Sequence, residues 1–294
     1  MTEKVRFDTP RYRIADLRRR QLDVNEQISS GRRINRPGDD PLGTLKVNTY
    51  TTQLDRAGQH ERNIDAADHL HRVVDGALGE ASNALYRVKE LTIQSLSSAL
   101  TQADRDAIAD EIAQMRDHLR ALANTRTNNR YVFAGFRSTT EPYDAAYAYL
   151  GDANVTRLEV GDGQQVDVVP PGVAVFGDGN PGTVDVFGNL VALEANIRAG
   201  VEAPIQDELE ILETAIEQVV LARSAVGVQM NRLEAALSVN AWLQERLPDA
   251  MSVQRDTDFT EAVSEMALVD QALEATLAAS SRLMQSTSLL DYLR

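Results

Sequence analysis

The sequence predicts a mainly α fold: an elongated coiled-coil helical rod with a small β-rich insertion. Three observations carry this. First, stepping alternately by four and three residues from Ile205 meets Leu209, Leu212, Ile216, Val219, Arg223, Val226, Met230, Leu233, Leu237, Asn240, Gln244 and Leu247, with only Arg223, Asn240 and Gln244 polar. An apolar period of about 3.5 residues over roughly six heptads is that of a helix seamed against other helices, and it spans roughly 65 Å. Second, aromatic residues make up only 5% of the chain, whereas large compact cores draw heavily on Phe, Tyr and Trp. Third, the apolar period changes to that of short strands between about 131 and 176, and only there.

The remaining elements follow in order. Phe7, Ile14, Leu17, Gln21, Val24 and Ile28 step along one face of a helix from about Tyr12 to Ser29, whose other face carries Arg18, Arg19 and Arg20. The stretch from Ser29 to Pro41 holds two glycines and two prolines and ends the helix. Asp39 and Asp40 in front of Pro41 suit the start of the next helix better than paired catalytic carboxylates, because a helix N-terminus attracts negative charge. That helix is the longest. Val47, Tyr50, Leu54, Ala57, Glu61, Ile64, Ala67, His71, Val74, Leu78, Ala81, Leu85, Val88 and Thr92 keep one unbroken step along it. His69 and His71 project to different sides of such a helix and are read as structural, since two ligands to one metal need three or four residues of separation.

A third helix starts near Asp104, carries Ile108, Ile112, Met115, Leu119 and Leu122, and folds back along its predecessor. Tyr131–Ala134, Thr156–Val160, Gln165–Val169 and Val173–Phe176 read as strands, with Gly161-Asp162-Gly163 as a hairpin turn. Helix resumes near Asn189 and enters the long stretch bounded by Pro204 and Pro248. The last helix carries Phe259, Val263, Met266, Leu273, Leu277, Met284 and Thr287, and from Thr276 to Leu290 its only charged residue is Arg282. A helix end so nearly devoid of charge is expected to be buried by other copies of the chain.

Composition narrows the function. The chain contains no cysteine, which excludes disulfides, thiolate metal sites and thiol catalysis. There is no membrane-length apolar run and no apolar secretory leader. Residues 1–36 carry a net charge of +5 and residues 257–294 one of −4, within a chain of −14. Such ends can bind nucleic acid or an acidic membrane through the basic segment, or can attract each other. Nucleic acid is not the expected partner, because the chain as a whole is acidic and no aromatics interleave the arginines. No nucleophile with its base, phosphate loop or metal cluster stands at local spacing, so no catalytic residue, cofactor or metal is assigned and an enzyme is not expected.

Several stretches carry a resemblance. Ile28-Ser29-Ser30-Gly31-Arg32-Arg33-Ile34 followed by Pro37-Gly38-Asp39-Asp40-Pro41 resembles the N-terminal signature of the flagellin-like proteins of the bacterial flagellum, with Gly38 where serine is usual. Asp104–Asn129 leading into Tyr131–Gly135 and Thr140–Tyr143, the segment from Leu150 to Phe176, and Ser286–Leu293 are similar to later parts of the same family, in the branch found at the hook–filament junction. The resemblance implies that 1–36 and 257–294 pair as an inner coiled coil that orders on assembly. It further implies that 37–136 and 188–256 form a helical rod domain, and that 137–187 form a small β-rich domain projecting outward. It implies a structural adaptor in the flagellum whose partners are hook-associated protein 1, flagellin, further copies of itself, the flagellar export apparatus and an export chaperone. Neither nucleic acid nor membrane is among them. Export would be without a cleaved signal peptide. The expected assembly interface is Ile14, Leu17, Val24, Ile28, Met266, Leu273, Leu277, Met284, Leu289 and Leu290. A minor flagellin, or a helical signalling or nucleic-acid-binding rod, are the alternatives.

Overall fold

The computed structural model describes residues 3–178 and 182–292, with side chains described over 11–178 and 182–282. Its elements are α1 (Glu3–Ser30), α2 (Pro41–Ser95), α3 (Gln102–Ala123), β1 (Arg126–Thr127), β2 (Arg130–Tyr131), β3 (Arg157–Gly161), β4 (Gln164–Asp167), α4 (Gly172–Phe176), α5 (Val186–Ala199), α6 (Glu202–Arg255) and α7 (Phe259–Tyr292). The chain divides into two units, one of Met1–Arg56 with Trp242–Arg294 and the other of Ala57–Ala241.

In the second unit the heptad step of α2 sets the core. Every position of that step from Ala57 to Thr92 is buried except Glu61, which is half-buried. Val74, Leu78, Ala81, Leu85 and Val88 pack in one cluster with Ile108, Ile112 and Leu119 of α3, Leu190, Leu193 and Ile197 of α5, and Leu212, Ile216, Val219 and Val226 of α6. Arg223 bonds Asp75 at 2.8 and 3.2 Å, while Lys89 reaches Glu213 at 2.7 Å. Those pairings run α6 antiparallel to α2. Two polar breaks in the α6 step thus have partners on α2: Arg223 meets Asp75, and the buried Asn240 donates to the Ala57 carbonyl at 2.8 Å. A buried amide would otherwise lose its hydrogen bonds to water, so these positions hold the register of the seam.

α3 begins with a capping box between Thr101 and Asp104, which satisfies two of the free N–H groups of its first turn. It turns back along α2, with Arg87 bonded to Glu111 at 2.9 Å and the His69 ring 3.2 Å from the Thr127 hydroxyl. α5 packs on it through Arg116–Glu194 at 2.5 Å and Arg198–Asp110 at 2.6 Å.

Among the described residues the buried aromatics are concentrated in one place. Phe133, Tyr143, Phe176 and Phe187 are buried with ring centroids 4.9–6.0 Å apart. The Tyr143 hydroxyl lies 3.0 and 2.8 Å from the Gly172 and Gly177 carbonyls, and burial holds its pKa well above the usual phenol value. Gly177 has φ of 74° and no room for a Cβ beside the Val184 carbonyl, so no other residue fits this turn without strain.

Four expectations are corrected. Val173–Phe176 is helical, within α4: the preceding Pro171 occupies the N-cap, and Gly172, Val175 and Phe176 are buried at helical spacing. A short apolar run cannot by itself separate strand from helix. Tyr131–Ala134 pairs as strand only at Tyr131. Pro248 does not end its helix, since α6 continues to Arg255; Pro248 is exposed, where its ring can be accommodated without displacing a packed side chain. The β3–β4 hairpin does not stand clear of the helices, because Val160 and Val166 are buried against Ile64 and Ala67 of α2 and Leu233 and Ala236 of α6. The predicted turn is present, with Gly163 at φ of 70°.

His71 is buried in α2 with its Nε2 3.1 Å from the Asp167 carbonyl of β4, whereas His69 is exposed. Among the described residues no group of three His, Asp or Glu is placed to hold a metal. Burial depresses the pKa of His71 below 6.5, so the folded state disfavours its protonation. The unfolded chain then binds the extra proton first as pH falls below 6.5, and stability drops there. Thermal unfolding followed between pH 7.5 and pH ~5 is expected to show that decline, and the part due to this residue is expected to vanish in His71→Gln. Leu85→Ala is expected to cost about 2–5 kcal/mol in denaturant unfolding, since Leu85 is wholly buried in the main core.

Candidate assembly interface

The site expected from the sequence lies on the two end helices. α1 and α7 pack closely, and on α1 the seam runs through Ile14, Leu17, Gln21, Val24 and Ile28. Val24 is buried and the others half-buried. On α7 it runs through Ala262, Met266, Val269, Leu273, Thr276 and Ser280, all buried or half-buried. Both sets keep the alternating three-and-four step of a coiled-coil seam. The one hydrogen bond described between the two helices is Gln21 donating to Asp270 at 2.7 Å.

Of the expected interface residues, Ile14, Leu17, Val24, Ile28, Met266 and Leu273 therefore meet within one chain. Leu277 does not join them and is 43% exposed. The side chains of Met284, Leu289 and Leu290 lie outside the described residues. Ala262 and Val269 were missed by sequence reading. Their step was legible, but Phe259, Val263 and Leu277 on a neighbouring stripe are larger and drew the pattern toward solvent. Phe259, Val263, Leu268 and Leu277 on α7, with Tyr12 and Leu22 on α1, are left exposed once the seam is filled.

Over the described residues the opposite charges of the two ends do not bind each other across the seam. Among the described residues no ion pair joins α1 to α7; Arg20 pairs instead with its own Asp16 at 3.2 Å.

The loop from Gly31 to Asp40 explains why the seam starts where it does. Gly31, at φ of 69°, closes α1 by donating its N–H to the Gln27 carbonyl at 2.9 Å. The next residues pair antiparallel with the α6–α7 junction: Thr257 N–H donates to the Gly31 carbonyl at 3.1 Å and Arg33 N–H to the Arg255 carbonyl at 2.7 Å. The Arg33 guanidinium reaches both Asp40, at 3.2 Å, and the Gln254 carbonyl, at 2.8 Å. Asp39 accepts from the N–H groups of Asn35 and Arg36 at 3.0 and 2.7 Å, and Asp40 from that of Gly43 at 2.8 Å. Asp40 thus caps α2, while Asp39 folds the loop itself. The Gly43 N–H, assisted by Arg33, holds the Asp40 carboxyl below the usual carboxylate range. Arg33, Asp40 and the backbone of this loop fix the ends of four helices.

Residues 12–138 match the bacterial flagellin N-terminal helical region and residues 209–293 the bacterial flagellin C-terminal helical region. The chain belongs to the flagellin family. It is a structural component of the bacterial flagellum. It is similar to flagellar hook-associated protein 3 of Escherichia coli, with 24% identity over 92% of both chains, and to flagellin of Bacillus subtilis, with 27% identity over 92% of this chain and 91% of that one. Its fold is like that of flagellar hook-associated protein 3 from Legionella pneumophila, with a TM-score of 0.64, 17% identity and coverage of 70% of this chain and 98% of that one. FlgL from Bacillus cereus gives a TM-score of 0.61 at 21% identity, covering 69% and 99%. Among the described residues of this flagellin-family chain no helix is long and apolar enough to cross a membrane.

The two leucines one turn apart on α7 are expected to behave differently. Leu273→Asp places a charge in the α1–α7 seam and is expected to cost at least about 2 kcal/mol of hairpin stability, read as lost hydrogen-exchange protection in both helices. Leu277→Asp is expected to leave that protection unchanged and to impair incorporation into flagella.

Proposed function

We propose that this flagellin-family chain is the adaptor at the hook–filament junction, seated between hook-associated protein 1 and flagellin, and that it works by helix packing in a helical layer, not by catalysis. The observation that carries the reading is the α1–α7 hairpin, whose internal seam is filled while Phe259, Leu268, Leu277 and Leu22 stay in solvent. Apolar residues of that size along paired end helices gain burial only from neighbouring subunits. The choice of junction over filament is supported by similarity to hook-associated protein 3 along 92% of both chains.

In this reading residues 1–36 and 257–294 form the inner coiled coil, 37–136 and 188–256 the rod, and 137–187 the small β-rich part. Ile14, Leu17, Val24, Ile28, Met266 and Leu273 shape the hairpin, and Leu277, exposed beside the seam, faces other subunits. The export apparatus and an export chaperone handle the chain before assembly, and no signal peptide is cleaved. A minor flagellin is the second reading, favoured by the 27% identity to the Bacillus subtilis protein.

Electron microscopy of cells lacking the chain, with flagellin measured in the medium, tests this. Hooks without filaments and flagellin shed as monomer are expected. Filaments still attached to hooks would sink the junction role and leave the minor flagellin.

A further inference from the structure

A pocket of about 460 Å³ opens on the second unit between α2, the β1–β2 turn and the chain at 135–138, 154–156 and 168–169. Its walls are set by local sequence. Asn128 and Asn129 stand at φ of 48° and 62°, the left-handed pair that a two-residue hairpin turn needs and that asparagine tolerates. This turn brings Arg130 into the wall. Gly135, at φ of 65°, has no room for a Cβ beside the Asp152 carbonyl. The Asp152 carboxylate accepts from the N–H groups of Phe136 and Asn154 at 3.1 and 2.9 Å, which ties two sides of the pocket together. From α2 comes His69, its Nε2 3.2 Å from the Thr127 hydroxyl.

No carboxylate lines this pocket, although the chain carries a net charge of −14; its basic groups are Arg130 and His69. Among the described residues Arg130 makes no ion pair, and the side chains of Asn128, Ser138 and Thr156 make no hydrogen bond. The Tyr131 ring is already engaged, with the Arg126 guanidinium 5.4 Å from its centroid. Phe136 is not: it is 63% exposed and, among the described residues, stacks on no other ring. A free guanidinium, a set of free hydroxyl and amide groups and one open aromatic face thus border the same pocket.

We infer that this pocket binds an acidic sugar, a saccharide carrying a hexuronate unit. The carboxylate meets Arg130, whose planar fork of donors matches it with two parallel hydrogen bonds. The sugar hydroxyls exchange hydrogen bonds with Asn128, Ser138 and Thr156, and the apolar C–H face of the ring lies on Phe136. The volume falls within the roughly 300–1,000 Å³ usual for small-molecule sites. A nucleotide suits the pocket less, because a phosphate carries more charge than one arginine answers and a single exposed ring gives a base no slot to enter. All the walls belong to the second unit, so the site does not depend on the assembly role proposed above.

Saturation-transfer NMR on the full-length chain with digalacturonate tests this, with neutral galactobiose, inorganic sulfate and adenosine monophosphate for comparison. Digalacturonate is expected to bind with a Kd on the order of 1 mM or tighter, and galactobiose about tenfold more weakly. Arg130→Gln is expected to weaken digalacturonate about tenfold and to leave galactobiose unchanged, since only the charged pair is lost. Phe136→Ala is expected to weaken both sugars about threefold or more. Both side chains are exposed, so each variant is expected to keep the circular dichroism and Tm of the unaltered chain. No transfer to digalacturonate at ~10 mM, or binding that neither substitution weakens, overturns the inference. Galactobiose that binds as tightly as digalacturonate removes the acidic requirement and overturns it as well. So does sulfate or adenosine monophosphate that binds more tightly than the sugar, which would mark a general anion site or a nucleotide site.

Discussion

The seam between α2 and α6 is the constraint on which the second unit depends. An apolar stripe repeated every 3.5 residues stays on one side of a helix only if another helix follows it, and here α6 follows α2 in the opposite direction. Along such a seam a slip by one turn would cost little in apolar contact, since Leu, Ile and Val recur at every step. The polar interruptions remove that freedom. Asn240 has the Ala57 carbonyl within 2.8 Å, and the Arg223 guanidinium spans Asp75 at 2.8 and 3.2 Å. Any slip breaks both, and Asn240 would then be buried without a partner.

With that seam set, the remaining elements are placed by what it leaves uncovered. α3 and α5 cover the flank around Leu85, tied to each other by Arg116–Glu194 and Arg198–Asp110. The β3–β4 hairpin covers the stretch around Ile64 and Leu233. It is anchored by Asn63 donating to the Glu159 carbonyl at 2.7 Å and by His71 at the Asp167 carbonyl. The aromatic cluster around Tyr143 lies where the chain turns through irregular loops, and large rings fill such space better than the aliphatic side chains of a seam. Low aromatic content and a local aromatic core are thus compatible: among the described residues, it is this irregular region that buries the rings.

The terminal hairpin follows a different rule. Its seam starts with Ala262, Met266 and Val269 and fades through Thr276 and Ser280, so burial within one chain weakens along α7 while apolar residues on the neighbouring stripe remain exposed. That distribution suits helices that are finished by their neighbours. The loop from Gly31 to Asp40 fixes the point from which the hairpin springs, and Arg33, Asp39 and Asp40 act there through hydrogen bonds to backbone groups. Those bonds are at home at an exposed junction, where long-range attraction between free charges is screened.

Much of this was legible in the sequence. The helical class, the long step of α2 from Val47 to Thr92, the hairpin turn at Gly161–Gly163, the cap at Asp40 and six of the seam residues of the end helices follow from local periodicity and backbone chemistry. Both act over a few residues and need no knowledge of the rest of the chain. Three things were decided only by the tertiary structure. The segment from Val173 to Phe176 is helical because Pro171 starts a turn whose apolar side the aromatic cluster accepts. Pro248 lies inside a helix because its position is exposed and its ring displaces no packed side chain. Which stripe of α7 meets α1 was chosen by packing: small residues at Ala262 and Ser280 let two helices approach, while the larger Phe259, Val263 and Leu277, more conspicuous in a linear reading, were left facing outward.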